Sequence, residues 1–167
     1  MVYGNAVEFE EYLASRGFEL PADWDEEKIN AALLVASEWL DNQYESIWIG
    51  YKLDYNQERS WPRQLAVVQT YPYYVYQTNE IPVEVIKATY EAAKRELTSQ
   101  GSLQVDFQPS QYNSVSIYNA VTVEYNSNAS AGDIQTQIPI IQSLMSKLLD
   151  SNKGANSNGL SGVAVRV

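Results

Sequence analysis

Apolar residues at Ile29, Leu33, Ala36 and Leu40 recur at i, i+4, i+7 and i+11, with Ala32 and Trp39 widening the stripe. That period belongs to a helix with one buried face. It predicts a helix from about Trp24 to about Gln43, capped by Asp23 or Asp25, with Glu26 and Glu27 against its positive N-terminal end. A shorter helix is expected before it. Asn5 and Glu8 have capping-box spacing, Val7, Phe9, Tyr12 and Leu13 supply an apolar face, and Gly17 is placed to stop the helix. A third helix opens at Pro82, where a first-turn proline loses no intrahelical bond, and runs to about Ser99 ahead of Gly101. Its stripe is Ile86, Tyr90, Ala93 and Leu97, broadened by Val85 and Ala92, and Glu91 precedes Arg95 at ion-pair spacing.

The period then falls to two. Val115 and Ile117 alternate with serines, and Val121, Val123 and Tyr125 with Thr122 and Glu124, so a hairpin turning near Asn119 is expected. Asn126–Gly132 is a polar loop, and a last short helix starts near Pro139 with Ile141, Leu144 and Leu148 on one face. Ser151–Gly159 is linker-like, and Val163, Val165 and Val167 alternate as in an edge strand able to pair with a neighbouring sheet. The pattern predicts a mainly α fold: a small bundle of three to four helices with a β-hairpin or short strands and an extended C-terminal arm. The expected division is a domain over 1–150, with its helical core at 5–100 and strands within 101–150, followed by an arm at 151–167.

Between Tyr44 and Asn79 the chain is irregular and aromatic, carrying Tyr44, Trp48, Tyr51, Tyr55 and Trp61, then Tyr71, Tyr73, Tyr74 and Tyr76. A loop this long is functional or covered by a neighbour. Trp48 and Trp61 can roof the helical core. Alternatively Trp61, with Arg63, belongs to a subunit or partner interface together with Tyr71, Tyr73, Tyr74 and Tyr76, and with Val163, Val165 and Val167 of the arm. Pro62 is expected to hold Trp61 extended. Arg59 and Arg63 could meet a nucleic-acid phosphate, but pairing with Asp54 or Glu58 is the expectation.

Composition excludes much chemistry. Without His or Cys there is no imidazole base, thiolate, disulfide or usual zinc ligand set. The glycines form no phosphate loop. Glu8, Glu10 and Glu11, like Asp23, Asp25, Glu26 and Glu27, lack calcium-loop spacing and suit helix starts instead. No catalytic, cofactor-binding or metal-binding residue is expected, and the chain is not expected to be an enzyme. A net charge of −10 opposes strong nucleic-acid binding, which leaves a basic footprint. No leader-like or membrane-spanning apolar run is evident, so a soluble protein of intracellular origin is expected.

In order and spacing, the capped N-terminal helix and the four elements after it resemble the head–tail connector (adaptor) proteins of tailed bacteriophages, a family often labelled putative DnaT-like single-stranded-DNA-binding protein. The four are Ala36-Ser37-Glu38-Trp39-Leu40-Asp41, a loop at Gly50, Trp61-Pro62-Arg63 and Ile81-Pro82-Val83-Glu84-Val85-Ile86-Lys87-Ala88. The likeness covers residues 5–100, and 101–150 more loosely. Leu65–Asn79 is more aromatic than the family pattern. The resemblance implies a structural virion protein in the neck, assembled in the host cytoplasm. It would form a ring of twelve subunits beneath the portal, join portal to tail or neck proteins, and pass double-stranded DNA through an acidic channel. The alternative the label implies is a single-stranded-DNA-binding module of a phage or prophage.

Overall fold

The computed structural model describes residues 1–68, 71–103, 114–117, 121–124 and 138–150. Among them, α1 (Ala6–Ser15) and α2 (Glu26–Tyr44) form where the patterns place them. Each is capped by a side chain: the Asn5 amide oxygen accepts from the Glu8 N–H at 2.9 Å, and the Asp25 carboxylate from the Lys28 N–H at 2.8 Å. Gly17, at φ +71°, closes α1 with paired bonds from Gly17 N to Ala14 O and from Phe18 N to Leu13 O. The buried face of α1 is Ala6, Phe9 and Leu13. Val7 points to solvent, because one residue after Ala6 the helix has already turned about 100° off that face.

Two short antiparallel hairpins fill the aromatic segment. Strand β1 (Tyr51–Lys52) pairs with β2 (Arg63–Gln64), and β3 (Val67–Val68) with β4 (Tyr74–Val75). The Trp61–Pro62 and Tyr71–Pro72 peptide bonds are cis. Gly50, at φ +67°, lies against this turn so closely that a Cβ would stand 2.5 Å from Gln64 O. Only glycine combines that backbone with that approach.

Helix α3 (Val83–Thr98) packs along α2. Pro82 is its cap residue, one position earlier than expected, and no side chain caps it. Glu91 does not serve Arg95 but ties α3 to α1, pairing with Arg16 at 3.0 Å and accepting from Tyr12 Oη at 2.8 Å. The expected hairpin is present as β5 (Ser114–Ile117) with β6 (Val121–Glu124), Val115 opposite Val123. Helix α4 (Pro139–Met145) runs into a 3-10 turn, Ser146–Leu148, and packs on α3. Its buried residues are Ile141, Met145 and Leu148, and Leu144 is half-buried. The chain then bonds back to the aromatic segment, Ile49 N to Leu148 O and Asp150 N to Ile47 O. The fold is mainly α with short strands. Among the described residues no helix is long and apolar enough to cross a membrane.

A line of rings joins α2 to the second hairpin. Trp39, Tyr44, Trp48, Trp61, Tyr76 and Tyr74 follow one another with centroids 4.8–6.5 Å apart, most of them tilted or edge-to-face. Trp48 and Trp61 are fully buried in the middle of it. Replacing Trp61 with Ala should therefore cost about 3–5 kcal/mol, read as a lower urea midpoint. An unchanged midpoint would refute its role as the centre of this core.

Candidate functional site

Trp61 and Arg63 do not form an exposed interface. Arg63 is buried beneath the first hairpin and spends its guanidinium on carbonyls, donating Nε to Ile49 O at 2.8 Å, Nη2 to Gly50 O at 2.9 Å and Nη1 to Ser60 O at 3.2 Å. Burial pulls its pKa below the usual arginine value. A rigid fork of donors suits such a turn, where several carbonyls would otherwise be orphaned.

Arg59 is buried as well, at 4% exposure, but among charges. It faces Glu58 at 3.4 Å, Glu38 at 3.5 Å and Asp41 at 3.6 Å, and donates Nε to Met1 O at 2.6 Å. Of the two acids expected to pair with it, only Glu58 does; Asp54 instead accepts from the Asn56 N–H. Glu58 also binds the N-terminal amine at 2.8 Å, which lowers its pKa. Asp41 accepts from Tyr3 Oη at 2.7 Å, and that same phenol oxygen accepts from Trp61 N at 3.0 Å. Burial raises the Asp41 pKa against the opposing pull of Tyr3, Ser60 and Arg59. The neighbouring Ser60 hydroxyl donates to Glu45, which also pairs with Lys52 at 2.9 Å. Burial would raise the Glu45 pKa, but these partners bring it below the ordinary value. This network fastens the N-terminus, α2 and the Ser60–Arg63 turn together. Its buried cation, Arg59, faces carboxylates and is not open to a phosphate.

What remains exposed is the second hairpin. Tyr71 is 90% and Tyr73 73% exposed, and Tyr74 and Val75 are open as well. Tyr76 turns inward onto Trp61. Of the interface residues expected from sequence, Tyr71, Tyr73 and Tyr74 thus share an open surface, while Trp61, Arg63 and Tyr76 lie beneath it. Val163, Val165 and Val167 lie outside the described residues. Tyr51 and Tyr55, counted among the aromatics of this segment but not expected at an interface, are exposed, and the sequence reading missed Leu53 on the first hairpin and Leu65 beside it, both exposed as well. For Tyr51, Leu53 and Tyr55 the alternation with Lys52 and Asp54 was the available signal; Leu65 lies in an apolar run and gave none. The surface around Tyr74 is acidic: Tyr74 Oη lies 3.3 Å from Glu80, whose charge raises its pKa, and Tyr76 Oη donates to Glu84 at 3.3 Å. Among the described residues no cluster of carboxylates is gathered to hold a metal ion.

Over residues 2–167 the sequence matches the family described as "Putative DnaT-like ssDNA binding protein". The chain belongs to this family. No curated protein and no solved structure matches it. Glu80 and Glu84 stand beside the exposed tyrosines, Lys147 lines the same groove, and the two arginines nearest in sequence are turned inward.

Two measurements test the network. Arg59→Ala leaves Asp41 buried without its counter-charge and should cost about 3–5 kcal/mol in urea unfolding, part of it recovered in the Arg59→Ala, Asp41→Asn double variant. No recovery would mean that the cost is packing alone. The second concerns Tyr3, Tyr12, Tyr76 and Tyr90, whose pKa values are all raised, chiefly by burial, that of Tyr90 to about 12. Above the ordinary tyrosine value of about 10, the unfolded chain releases protons that the folded chain keeps. Stability is full below about pH 10 and falls as the pH rises through the folded values, so the urea midpoint should drop steeply there. A midpoint flat to about pH 11 would contradict it.

Proposed function

We propose that the chain is a non-enzymatic assembly protein, a head–tail adaptor in the neck of a tailed phage, assembled in the host cytoplasm into a ring of twelve that docks beneath the portal. The observation that carries this reading is the open tyrosine hairpin set among carboxylates. Tyr71, Tyr73 and Tyr74 offer the amphipathic rings that protein interfaces use as anchors. Glu80 and Glu84 beside them repel phosphate. An acidic protein of this kind lets DNA pass without holding it, consistent with a net charge of −10. The order of elements that resembles the connector proteins supports the same reading.

A second reading is single-stranded-DNA binding, and the family description favours it more directly than it favours an adaptor. Exposed tyrosines can stack bases. Charge weighs against it, since non-specific affinity comes mostly from cations meeting phosphates.

One pair of experiments separates the two. Mixed with its cognate portal, the chain should form a ring by native mass spectrometry, and Tyr71→Ala or Tyr73→Ala should weaken the association by about 2 kcal/mol, some thirtyfold. Anisotropy with a fluorescent oligothymidine should show only weak binding. Tight binding that falls steeply with salt, with no portal association, would establish the second reading instead.

A further inference from the structure

At its C-terminal end α3 borders a notch of about 300 Å³, lined by Glu91, Lys94, Arg95, Thr98, Ser99 and Ser102. Arg95 stands about 18 Å along the helix axis from Val83, which lines the groove beside the tyrosines. The protein carries a net charge of −10, yet the balance is reversed here. The one carboxylate that lines the notch, Glu91, is already met by Arg16 at 3.0 Å and by Tyr12 Oη at 2.8 Å. Neither Lys94 nor Arg95 is in an ion pair among the described residues.

Surface cations usually swing through many rotamers, and fixing one on binding costs entropy. Here aromatic rings hold two of them beforehand. Lys94 Nζ lies 4.3 Å from the ring centroid of Phe18, which itself stacks on Trp24 at 5.7 Å. Arg16 lies 4.4 Å over the Tyr12 ring while it pairs with Glu91. The carbonyls at a helix C-terminus would repel an anion, but hydroxyl and amide donors cover those of the last turn. Arg95 O accepts from Ser99 N at 2.8 Å and from Ser102 Oγ at 3.3 Å, and Lys94 O accepts from Thr98 Oγ1 at 2.7 Å. Glu96 turns its Oε1 to the Gly101 N–H at 2.7 Å. A guanidinium fork, an ammonium and the Ser99 hydroxyl thus remain as donors around one small notch, the set that suits a tetrahedral oxyanion.

We infer that this notch is an anion site that takes a phosphate group, with Arg95 as its bidentate partner, Lys94 as the second charge and the Ser99 hydroxyl as a neutral donor. The tyrosine hairpin has no part in it, so the site stands apart from both readings of function above. Free phosphate and the phosphodiester of a nucleic-acid strand offer the same oxygens, and the experiment tells them apart. One such contact binds a strand weakly and in a salt-sensitive way, which suits a strand that passes the protein more than one it holds.

Inorganic phosphate is titrated into the nitrogen-15-labelled full chain at constant ionic strength, and a fluorescent oligothymidine is followed by anisotropy in parallel. The amide signals of Lys94–Ser102 should shift saturably with phosphate, and Arg95→Gln should weaken that binding about tenfold. Arg95 is exposed, so the variant should keep the urea midpoint of the parent. Arg95→Lys, which keeps the charge and loses the fork, should fall between the two. Lys147→Gln, beside the tyrosines, is the control and should leave the shifts as they are. If a strand is the source, Arg95→Gln should also flatten the dependence of log Kd on log salt for oligothymidine by about 0.7, one single-strand phosphate contact. If phosphate moves these signals while strand binding ignores Arg95→Gln, the site stands and its source is free phosphate. No saturable shift, the same affinity in Arg95→Gln, or shifts spread evenly over Lys28, Lys87 and Lys147 would overturn the inference. A failed portal association would leave these titrations unchanged, so the two readings fail separately.

Discussion

Arg59 carries a full charge into a site almost closed to water, and the surroundings are built to keep it there: carboxylates from α2 and from Glu58 converge on it, and the carbonyl of Met1 takes its Nε–H. An unpaired guanidinium in such a place costs several kcal/mol. The consequence of these contacts is positional. They draw the N-terminal residues and the Ser60–Arg63 turn onto α2, which lowers Trp61 into the core and leaves its backbone N–H on the Tyr3 hydroxyl. Arg63 then holds the next turn by its carbonyls, and the first hairpin follows. The segment between α2 and α3, whose strands are two residues each, is thus ordered largely by charge and by large rings.

The helices were legible because periodicity reports burial directly. Ile29, Leu33, Ala36 and Leu40 are buried as their spacing requires, and Asn5, Asp25 and Gly17 act at the helix ends where their chemistry suits them. The β5–β6 hairpin was equally plain from its alternation. The failures are long-range. Nothing local says that Glu91 reaches back to Arg16 and Tyr12, since the i,i+4 partner Arg95 is nearer in sequence. Arg59 and Arg63 look alike in sequence as surface cations, and only the tertiary arrangement makes one an ion-pair centre and the other a carbonyl clamp. Two-residue strands such as β3 and β4 fall below any pattern that alternation can reveal. For the candidate site, the aromatic density of 71–76 marked the right segment, but the inward turn of Tyr76 depends on Trp61 and could not be read from spacing.

Charge and ring placement pull the functional reading in opposite directions. Tyrosines in the open suit stacking on bases as well as packing against a protein. Arg59 and Arg63 are committed to the interior and Lys52 to Glu45, which leaves Lys147 as the cation lining the groove beside Tyr71 and Tyr74. Family membership over residues 2–167 and the acidic setting of the hairpin are thus separate facts, and the second describes how this chain presents its rings.

The line of rings from Trp39 to Tyr74 ends at the same surface that offers Tyr71 and Tyr73. Close-packed neighbours respond to substitution together, whereas residues without shared contacts vary independently. Tyr74 leans on Tyr76, which leans on Trp61, so a change there is felt in the centre of the fold. Tyr71 and Tyr73 have no such ring beneath them among the described residues. The surface therefore divides into a conservative half and a permissive half. A lineage meeting a new partner can rewrite Tyr71 and Tyr73 at little cost to folding, while Tyr74 is tied to the core's own history.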